Sequence, residues 1–333
     1  MHALPSIHDI ARHLGLAPST VSKVLGPHAE RYRIGIETRD RILKAAQELG
    51  YSPDLRNRAR AMRRTGMIGV LYATPSPTTH VVFEHFGTLA AEALARHGCR
   101  PCYLPAANWA EVRRCLAEHR VDGCILIPPL PAAATDDRPP ESLPMVLVNA
   151  LADLPVPQVI TDDAQGVTLL VDHLVGLGHR RIAYADFPVR LFGHYSETAR
   201  QQGYQEAMRR QGLEPGEYRG DADGLVEFLD SWGGTAAITY NHQLALDISQ
   251  RIRRTAIPVP ARFSFACASD TSYGVLLDPP WTAIEIPMAA MVDRAVGELM
   301  ALIEGRTASD LRRIVVPQTL RIRGTTGPAP VRA

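Results

Sequence analysis

Two short patterns in the sequence carry side chains that could catalyse a reaction or bind a metal. Asp162 and Asp163 are adjacent carboxylates in TDDAQG, and Cys99 and Cys102 form the CxxC pair of CRPC. Neighbouring side chains at a strand end point apart, and no GxSxG, HExxH or GxxxxGK motif accompanies the aspartates. No second CxxC or HxxxH follows the cysteines, as a zinc site would require. We therefore interpret the aspartates as a strand end and a helix cap, the cysteines as structural, and predict no catalytic residue, cofactor or metal.

A third pattern places hydroxyl groups and a cation on one side of a short helix. In PSTVSKVL, residues 18–25, valine and leucine recur at helical spacing and leave polar residues on the opposite side. Such short side chains can enter a major groove, where lysine reaches guanine acceptors and hydroxyls reach phosphates or base edges. The same pattern also occurs in helix-turn-helix proteins that never touch DNA. The outward residues are Pro18, Ser19, Ser22 and Lys23.

The distribution of charge favours the DNA-binding interpretation. Residues 1–65 contain twelve lysines and arginines against six acids, a net charge of +6, whereas residues 66–333 contain 24 against 29, a net charge of −5. A basic module ahead of an acidic body is typical of a protein whose first part meets phosphate.

Three short helices are expected to hold the polar face in place. Ser6 and Asp9 form a capping-box-like start to the first helix, and Gly15 ends it. Pro18 lies in the first turn of the second helix, where a proline costs nothing. A third helix over about 36–49 completes a core that the first two cannot form alone. The short connection between the first two helices predicts a helix-turn-helix.

These segments resemble a known family. SIHDIARHLGLAPSTVSKVLG is similar to the DNA-binding headpiece of the LacI/GalR transcriptional regulators, and IETRDRILKAAQELGYSPD to that family's third helix and hinge entry. The similarity is interrupted mainly by a longer loop, PHAERYRIG. One departure is Ala17, where the family usually has a serine N-cap. The resemblance implies that Pro18, Ser19 and Lys23 read bases, and that Ser6, Thr20, Ser22 and Tyr51 lie near the DNA backbone.

The basic segment YSPDLRNRARAM falls on the hinge of that family. The resemblance implies a helix that forms in the minor groove, where a leucine wedges between base steps. Counted from Tyr51 without a gap, the position of that leucine holds Arg60, and the nearest large apolar side chain is that of Met62. Arg60 would favour a narrow A·T-rich groove, whereas Met62 would act as a wedge. The hinge residues expected to contact DNA are Arg56, Arg58, Arg60 and Met62.

Beyond residue 66 the sequence alternates between strands and helices. MIGVLYA and GCILIPP are apolar runs separated by helical stretches, and the same rhythm restarts after GVTLLVDHLVGLG. This alternation predicts parallel sheets covered on both faces, in two doubly wound lobes with a ligand cleft between them. The LacI/GalR resemblance continues more loosely to about residue 326.

The resemblance implies a fold class and domain boundaries. The fold class is an all-α, lambda-repressor-like helix-turn-helix headpiece with a hinge helix, followed by an α/β two-lobed domain like the type I periplasmic binding proteins. We expect the headpiece at 1–50, the hinge at 51–65, the body at 66–326 and a flexible tail at 327–333. Lobe one is expected from 66–160 and 288–317, and lobe two from 161–287 and 318–326.

The resemblance also implies a small effector, a sugar or sugar derivative, bound between the lobes. Arg200 matches an arginine that family members point at a ligand, and its guanidinium suits hydroxyl, carboxylate or phosphate groups. Ser269 replaces a usual aspartate, His242 follows Asn241 in place of another, and Ala222 replaces an aromatic residue of some members. Asparagines at loop starts also cap helices or satisfy backbone groups. The candidate effector residues are Arg200, Asn241, Ser269, Asn149 and Ala222.

We therefore predict a cytoplasmic, sequence-specific DNA-binding transcription regulator, interpreted as a repressor. It would act as a homodimer on a near-palindromic operator, with an affinity that the effector modulates in either direction. No apolar run approaches the roughly 20 residues of a membrane span, so no membrane partner is expected. The alternative is a solute- or sugar-binding protein with no gene-regulatory role, which would need an export signal in place of the basic headpiece.

Overall fold

The chain divides into two compact units. One comprises Met1–Met67 with Arg120–Asp122, and the other comprises Ile68–His119 with Gly123–Ala333. The computed structural model describes residues 5–26, 29–51, 64–72, 80–105, 110, 113–114, 121–127, 144–187, 194–305 and 313–330. No helix in these ranges is long and apolar enough to cross a membrane.

In the described part of the first unit, three α-helices surround a small apolar core. They are α1 (Ile7–Leu14), α2 (Pro18–Leu25) and α3 (Ile36–Glu48), and a 3-10 turn over Ala29–Arg31 precedes α3. Ile10, Val21 and Ile42, one from each helix, are fully buried. The predicted helix-turn-helix and third helix are confirmed.

The ends of these helices follow from local residue types. The Ser6 hydroxyl accepts a hydrogen bond from the Asp9 N–H at 3.3 Å, and Asp9 accepts one from the Ser6 N–H at 2.8 Å. The Ser6 hydroxyl also donates to Asp9 Oδ2, and this hydrogen bond first, then that from the Ser6 N–H, lowers the pKa of the Asp9 carboxyl. Gly15 ends α1 in the left-handed region with φ of 65°. Ala17 precedes α2 and, having no oxygen in its side chain, caps none of its N–H groups.

The described part of the second unit contains two six-stranded sheets, one in each lobe. The first has the order β11-β5-β4-β3-β1-β2, and each of its pairings from β11 to β1 is parallel. Helices α4 (His80–Arg96) and α10 (Met288–Ile303) cover it with apolar side chains, including the fully buried Phe86 and Met291. Its strands are β1 (Met67–Tyr72), β2 (Arg100–Pro105), β3 (Gly123–Ile127), β4 (Met145–Val148), β5 (Gln158–Thr161) and β11 (Arg313–Val316).

The second sheet has the order β12-β10-β9-β8-β6-β7. Its strands are β6 (Ile182–Asp186), β7 (Gly216–Arg219), β8 (Ala236–Thr239), β9 (Ser264–Cys267), β10 (Thr282–Glu285) and β12 (Thr319–Arg321). Its helices are α5 (Asp163–Gly176), α6 (Tyr195–Arg210), α7 (Ala222–Trp232), α8 (His242–Thr255) and the short α9 (Ser272–Leu276). Two doubly wound lobes are thus present, as predicted.

One strand departs from the expected parallel order. β12 pairs antiparallel with β10, whereas the other pairings within this sheet are parallel. β10 leads out of the second lobe towards α10, but β12 enters that lobe from β11 of the first lobe after only two residues. A strand that arrives where its neighbour leaves must run in the opposite direction.

The described chain passes between the lobes at three points. These points are the β5–α5 connection, the β10–α10 connection and the β11–β12 connection. At the first of them α5 and α6 pack closely. A Cβ atom added to Gly203 of α6 would lie only 2.7 Å from the backbone of Ala164 of α5. Asn149, Thr161 and Tyr240, at the ends of β4, β5 and β8, are linked near this connection through hydrogen bonds to residues of α5 and α6.

Candidate functional site

The outer face of α2 combines hydroxyl groups with one cation. Val21 and Val24 are buried against the other headpiece helices. Hydroxyl and ammonium groups of this kind can reach phosphates and base edges, and their contact with DNA stays a prediction. The exposed residues are Pro18, Ser19, Ser22 and Lys23, with Thr20 half-buried beside them.

The other predicted DNA contacts have different surroundings. The Ser6 hydroxyl already takes part in the α1 capping box, where it donates to Asp9 at 2.6 Å. Tyr51 packs against the headpiece core, and its N–H donates to the Ala46 carbonyl oxygen at 2.8 Å. Four further residues, Arg56, Arg58, Arg60 and Met62, lie outside the described residues, so the choice between Arg60 and Met62 stays a prediction.

Arg200 lies in a buried ion pair beneath the junction of the lobes. It is 6 % exposed, and its Nε donates to Asp163 Oδ1 at 2.7 Å. Nη1 donates to the Tyr240 carbonyl oxygen at 2.8 Å, and the guanidinium carbon lies 5.3 Å from the Tyr240 ring centroid. Burial is the largest single effect and lowers the pKa of Arg200, but the charge and hydrogen bond of Asp163, together with Tyr240 and Tyr184, raise it more, so the net shift is upward. The arginine is therefore ionised and electrically compensated.

One chain of hydrogen bonds leads from this ion pair into the first lobe. The Thr161 hydroxyl donates to Asp163 Oδ2 at 2.8 Å and lies 3.2 Å from the Tyr195 hydroxyl. The Tyr195 hydroxyl donates to Asn149 Oδ1 at 3.2 Å. Burial raises the pKa of Tyr195 further above its ordinary value, so this phenol keeps its proton. Tyr195 of α6 thereby connects the second lobe to the strand ends of the first.

A second chain of hydrogen bonds returns from the first lobe to Arg200. His194 Nε2 lies 2.7 Å from the Asn149 carbonyl oxygen, while Nδ1 accepts from the Ser196 N–H at 3.3 Å. The proton therefore resides on Nε2, which donates to Asn149. The Ser196 hydroxyl lies 3.2 Å from the Tyr240 hydroxyl, which closes the ring. We call these eight residues the junction ring: Asn149, Thr161, Asp163, His194, Tyr195, Ser196, Arg200 and Tyr240.

The other predicted effector residues are not members of this ring and have structural roles of their own. Asn241 caps α8, since its Oδ1 accepts from the N–H groups of Gln243 at 3.1 Å and Leu244 at 3.2 Å. Ser269 is buried, and its N–H donates to Cys267 Sγ at 3.4 Å. Ala222 begins α7 and packs in the core of the second lobe. Of the five candidates, the structure joins Arg200 and Asn149 through the junction ring.

Of the eight ring residues, the sequence predicts only Asn149 and Arg200 as site residues. Asp162 caps α5 by accepting from the Gln165 N–H at 3.0 Å, as predicted, but the neighbouring Asp163 is the partner of Arg200. His194 and Tyr195 were not singled out at all. The signal that could have found them is HYSE, a polar and aromatic run that begins six residues before Arg200, at the start of the same helix.

A buried tyrosine beside the ring has an unsatisfied hydroxyl. Tyr184 of β6 is 2 % exposed, and its hydroxyl has no hydrogen-bond partner among the described residues. Burial raises the pKa of Tyr184, and the neighbouring Arg200 charge opposes that rise. A buried, neutral hydroxyl without a partner is costly, and a ligand oxygen could satisfy it.

The cysteine pair shows no metal-binding arrangement in the part of the chain that the structure describes. Neither Cys99 nor Cys102 forms a disulfide, and each is half-buried. Within the same ranges no three histidine, cysteine, aspartate or glutamate side chains lie together in a way that could hold a metal ion.

Family models match nearly the whole chain. Residues 6–54 match bacterial regulatory proteins of the lacI family. Residues 64–221 match the periplasmic binding proteins and sugar binding domain of the LacI family, and residues 171–326 match a periplasmic binding protein-like domain. The first model covers the headpiece, and the other two together cover the body.

Curated relatives match over most of their length. An uncharacterized HTH-type transcriptional regulator in the aml 5′ region of Streptomyces limosus is 30% identical over 97% of this chain and 95% of its own. The HTH-type transcriptional regulator MalR of Streptomyces coelicolor is 27% identical over 97% of this chain and 96% of its own. The lactose operon repressor of Escherichia coli is 25% identical over 96% of this chain and 90% of its own.

Solved structures share the fold. The lac repressor dimer bound to operator and the anti-inducer ONPF aligns with a TM-score of 0.76 at 22% identity, over 98% of this chain and 100% of that one. The complex of the transcriptional regulator CelR with cellobiose aligns with a TM-score of 0.64 at 23% identity, over 97% and 100%.

Proposed function

The chain belongs to the lacI family of bacterial regulatory proteins, and from that premise we propose that it represses transcription as a homodimer bound to a near-palindromic operator. It is a helix-turn-helix transcription regulator with an effector-binding body. A small effector bound at the junction ring changes its affinity for the operator. The protein acts in the cytoplasm, where its DNA target lies.

The exposed face of α2 supports DNA reading by the headpiece. Lys23 and the serine hydroxyls project from a helix whose opposite side is buried, in a segment with a net charge of +6. A single headpiece of this size buries too little surface for selective binding, so two copies on two half-sites supply the remainder.

We retain the proposed boundaries of 1–50 for the headpiece, 51–65 for the hinge, 66–326 for the body and 327–333 for the tail.

The junction ring supports an uncharged, polyhydroxylated effector, a sugar or sugar derivative. Asp163 neutralises Arg200, so the guanidinium offers N–H donors to a ligand without an unpaired positive charge. The Tyr184 hydroxyl offers a further unsatisfied polar group nearby. A ligand with several hydroxyl groups can satisfy such donors and acceptors together, whereas an anion would meet a pair whose charge is already balanced. The departures at Ser269 and Ala222 distinguish this effector from those of members with aspartate and an aromatic residue there.

The ring also supports a mechanism for effector control. Tyr195 and His194 of the second lobe bond directly to Asn149 of the first lobe. An effector that replaces one of these hydrogen bonds, or bridges the same groups, binds one arrangement of the lobes better than another. That difference in binding energy is the quantity that can be transmitted to operator affinity.

Operator binding tests the proposal. Full-length protein should bind duplexes that it selects from a random-sequence pool much more tightly than unselected duplex, and its affinity should fall steeply with salt. Lys23→Ala should relax the preference for one base pair in each half-site, a loss of about 1–3 kcal/mol in discrimination. Lys44→Ala is the control, because Lys44 is an exposed headpiece cation paired with Glu48 on α3. Equal affinity for all sequences would refute the proposed function.

A thermal-shift screen of the full chain tests the effector class. Neutral sugars and nucleosides, sugar acids and phosphorylated sugars are compared at equal concentration. Stabilisation by a neutral polyol, together with a change in operator affinity, is the expected result. Stabilisation by anionic compounds alone would contradict the argument from the Arg200–Asp163 pair.

A further inference from the structure

The loop that precedes α3 lies against the face of α2 proposed to read DNA. This loop covers residues 27–35 and has the sequence PHAERYRIG. The structure describes it from residue 29 onward. Lys23 Nζ lies 5.3 Å from the centroid of the Tyr32 ring, within range of a cation–π interaction. The loop thus contacts Lys23, the one cation on the outer face of α2.

The headpiece itself fixes the position of the loop. Arg39 of α3 donates from Nη2 to the Ala29 carbonyl oxygen at 2.8 Å. The N–H of Ile34 donates to the Tyr32 carbonyl oxygen at 2.9 Å, and the Ile34 side chain packs against the headpiece core. The 3-10 turn also packs against α2. Because the headpiece holds Ala29 on one side and Ile34 on the other, it also fixes the position of Tyr32 beside Lys23.

The exposed side chains of this segment suit a polyanion. Arg31, Tyr32 and Arg33 are all exposed, and Tyr32 retains 43 % of its surface. No acid occurs in the sequence from Arg31 until Glu37. Guanidinium groups bind phosphate through paired N–H donors, and an aromatic face between two arginines can hold a cation or stack. Each arginine is next in sequence to the residue that contacts Lys23, and both side chains are exposed.

We propose that residues 31–33 form a second DNA-contacting element of the headpiece. Arg31 and Arg33 bind backbone phosphates next to the bases read from α2. Tyr32 is a positioning residue that holds the Lys23 ammonium beside the DNA base that Lys23 reads. This inference rests on the proposed function, since it assigns additional contacts to the same operator.

The salt dependence of binding tests the two arginines. Full-length variants are titrated with a duplex that the wild type selects from a random-sequence pool. Arg31→Ala and Arg33→Ala are each expected to reduce the slope of log affinity against log salt by about 0.9, the contribution of one phosphate contact. Lys44→Ala removes the same charge on α3 and should leave the slope unchanged. Arginine variants whose slopes equal that of Lys44→Ala would overturn the phosphate contacts.

Base discrimination tests Tyr32. Tyr32→Ala is expected to lower the preference for the base pair read by Lys23 by about fivefold, the lower end of what one good base contact contributes. Tyr32→Phe should retain that preference, because a phenyl ring also attracts an ammonium group. Equal discrimination by the two variants would overturn the positioning role. A wild type that selects no duplex would refute the proposed function, whereas a selective wild type with indifferent loop variants refutes this inference alone.

Discussion

Removing either partner of the Arg200–Asp163 pair should destabilise the body far more than removing an exposed pair between the same helices. The side chains are 7% and 0% exposed and meet at 2.7 Å, so either one alone would be a buried, uncompensated charge. Breaking a buried pair typically costs about 3–5 kcal/mol. At roughly 2–4 °C for each kcal/mol in a domain of this size, the melting temperature should fall by about 6–20 °C.

A double-mutant cycle measured by urea and thermal unfolding tests this expectation. Arg200→Met and Asp163→Leu should each be strongly destabilising, whereas the double variant should lose much less than their sum, because no buried charge remains. The control is the Arg210–Asp172 pair, which also joins α6 to α5 at 3.0 Å but is 53% and 42% exposed. Its variants should change the free energy of unfolding by less than about 1 kcal/mol. Additive losses for the buried pair, or losses equal to those of the control, would refute the reasoning.

Two further predictions concern packing and pH. Gly203→Ala should lower the free energy of unfolding by about 1–3 kcal/mol, because its Cβ would lie 2.7 Å from the backbone of α5. Gly176→Ala, with open space around it, should be neutral or slightly stabilising. Equal unfolding midpoints for the two variants would contradict the close approach of the helices. Burial lowers the pKa of His194 below the ordinary 6.5, so the folded state resists its protonation and the urea midpoint should fall as the pH drops below about 6.5. His194→Gln should flatten that fall without abolishing it, because burial also lowers the pKa of His173 and His179; an unchanged pH profile would argue against a buried neutral imidazole.

The headpiece was the part most open to prediction from sequence, because its structure depends on local signals. Ser6, Gly15 and Pro18 each fix a helix end through their own side chain or backbone preference. The alternation of strands and helices likewise predicted two lobes, since each apolar run is long enough for one buried strand. The sequence did not predict that β12 runs antiparallel to β10, because the direction of this strand depends on the route of the chain between the lobes rather than on its own residues.

The candidate site was less predictable because its contacts join distant segments. Arg200 and Asp163 lie 37 positions apart, and His194 and Asn149 lie 45 apart. Nothing in the local pattern of Asp163 distinguishes it from Asp162, yet one caps α5 and the other binds the arginine. Only the packing of α5 against α6, which Gly203 permits, decides which carboxylate meets the guanidinium.

The two-residue step from β11 to β12 has a consequence for the synthesis of the protein. These strands occupy the outer edges of the two sheets and are the last elements of each lobe to leave the ribosome. Until they arrive, β5 and β10 present unpaired edges, each able to pair with another chain. The headpiece can fold as soon as α3 has emerged, but neither lobe is closed until about 320 residues have been translated. A premature stop within α10 would therefore produce a truncated chain with a complete DNA-binding module and two sheet edges that can pair with another chain.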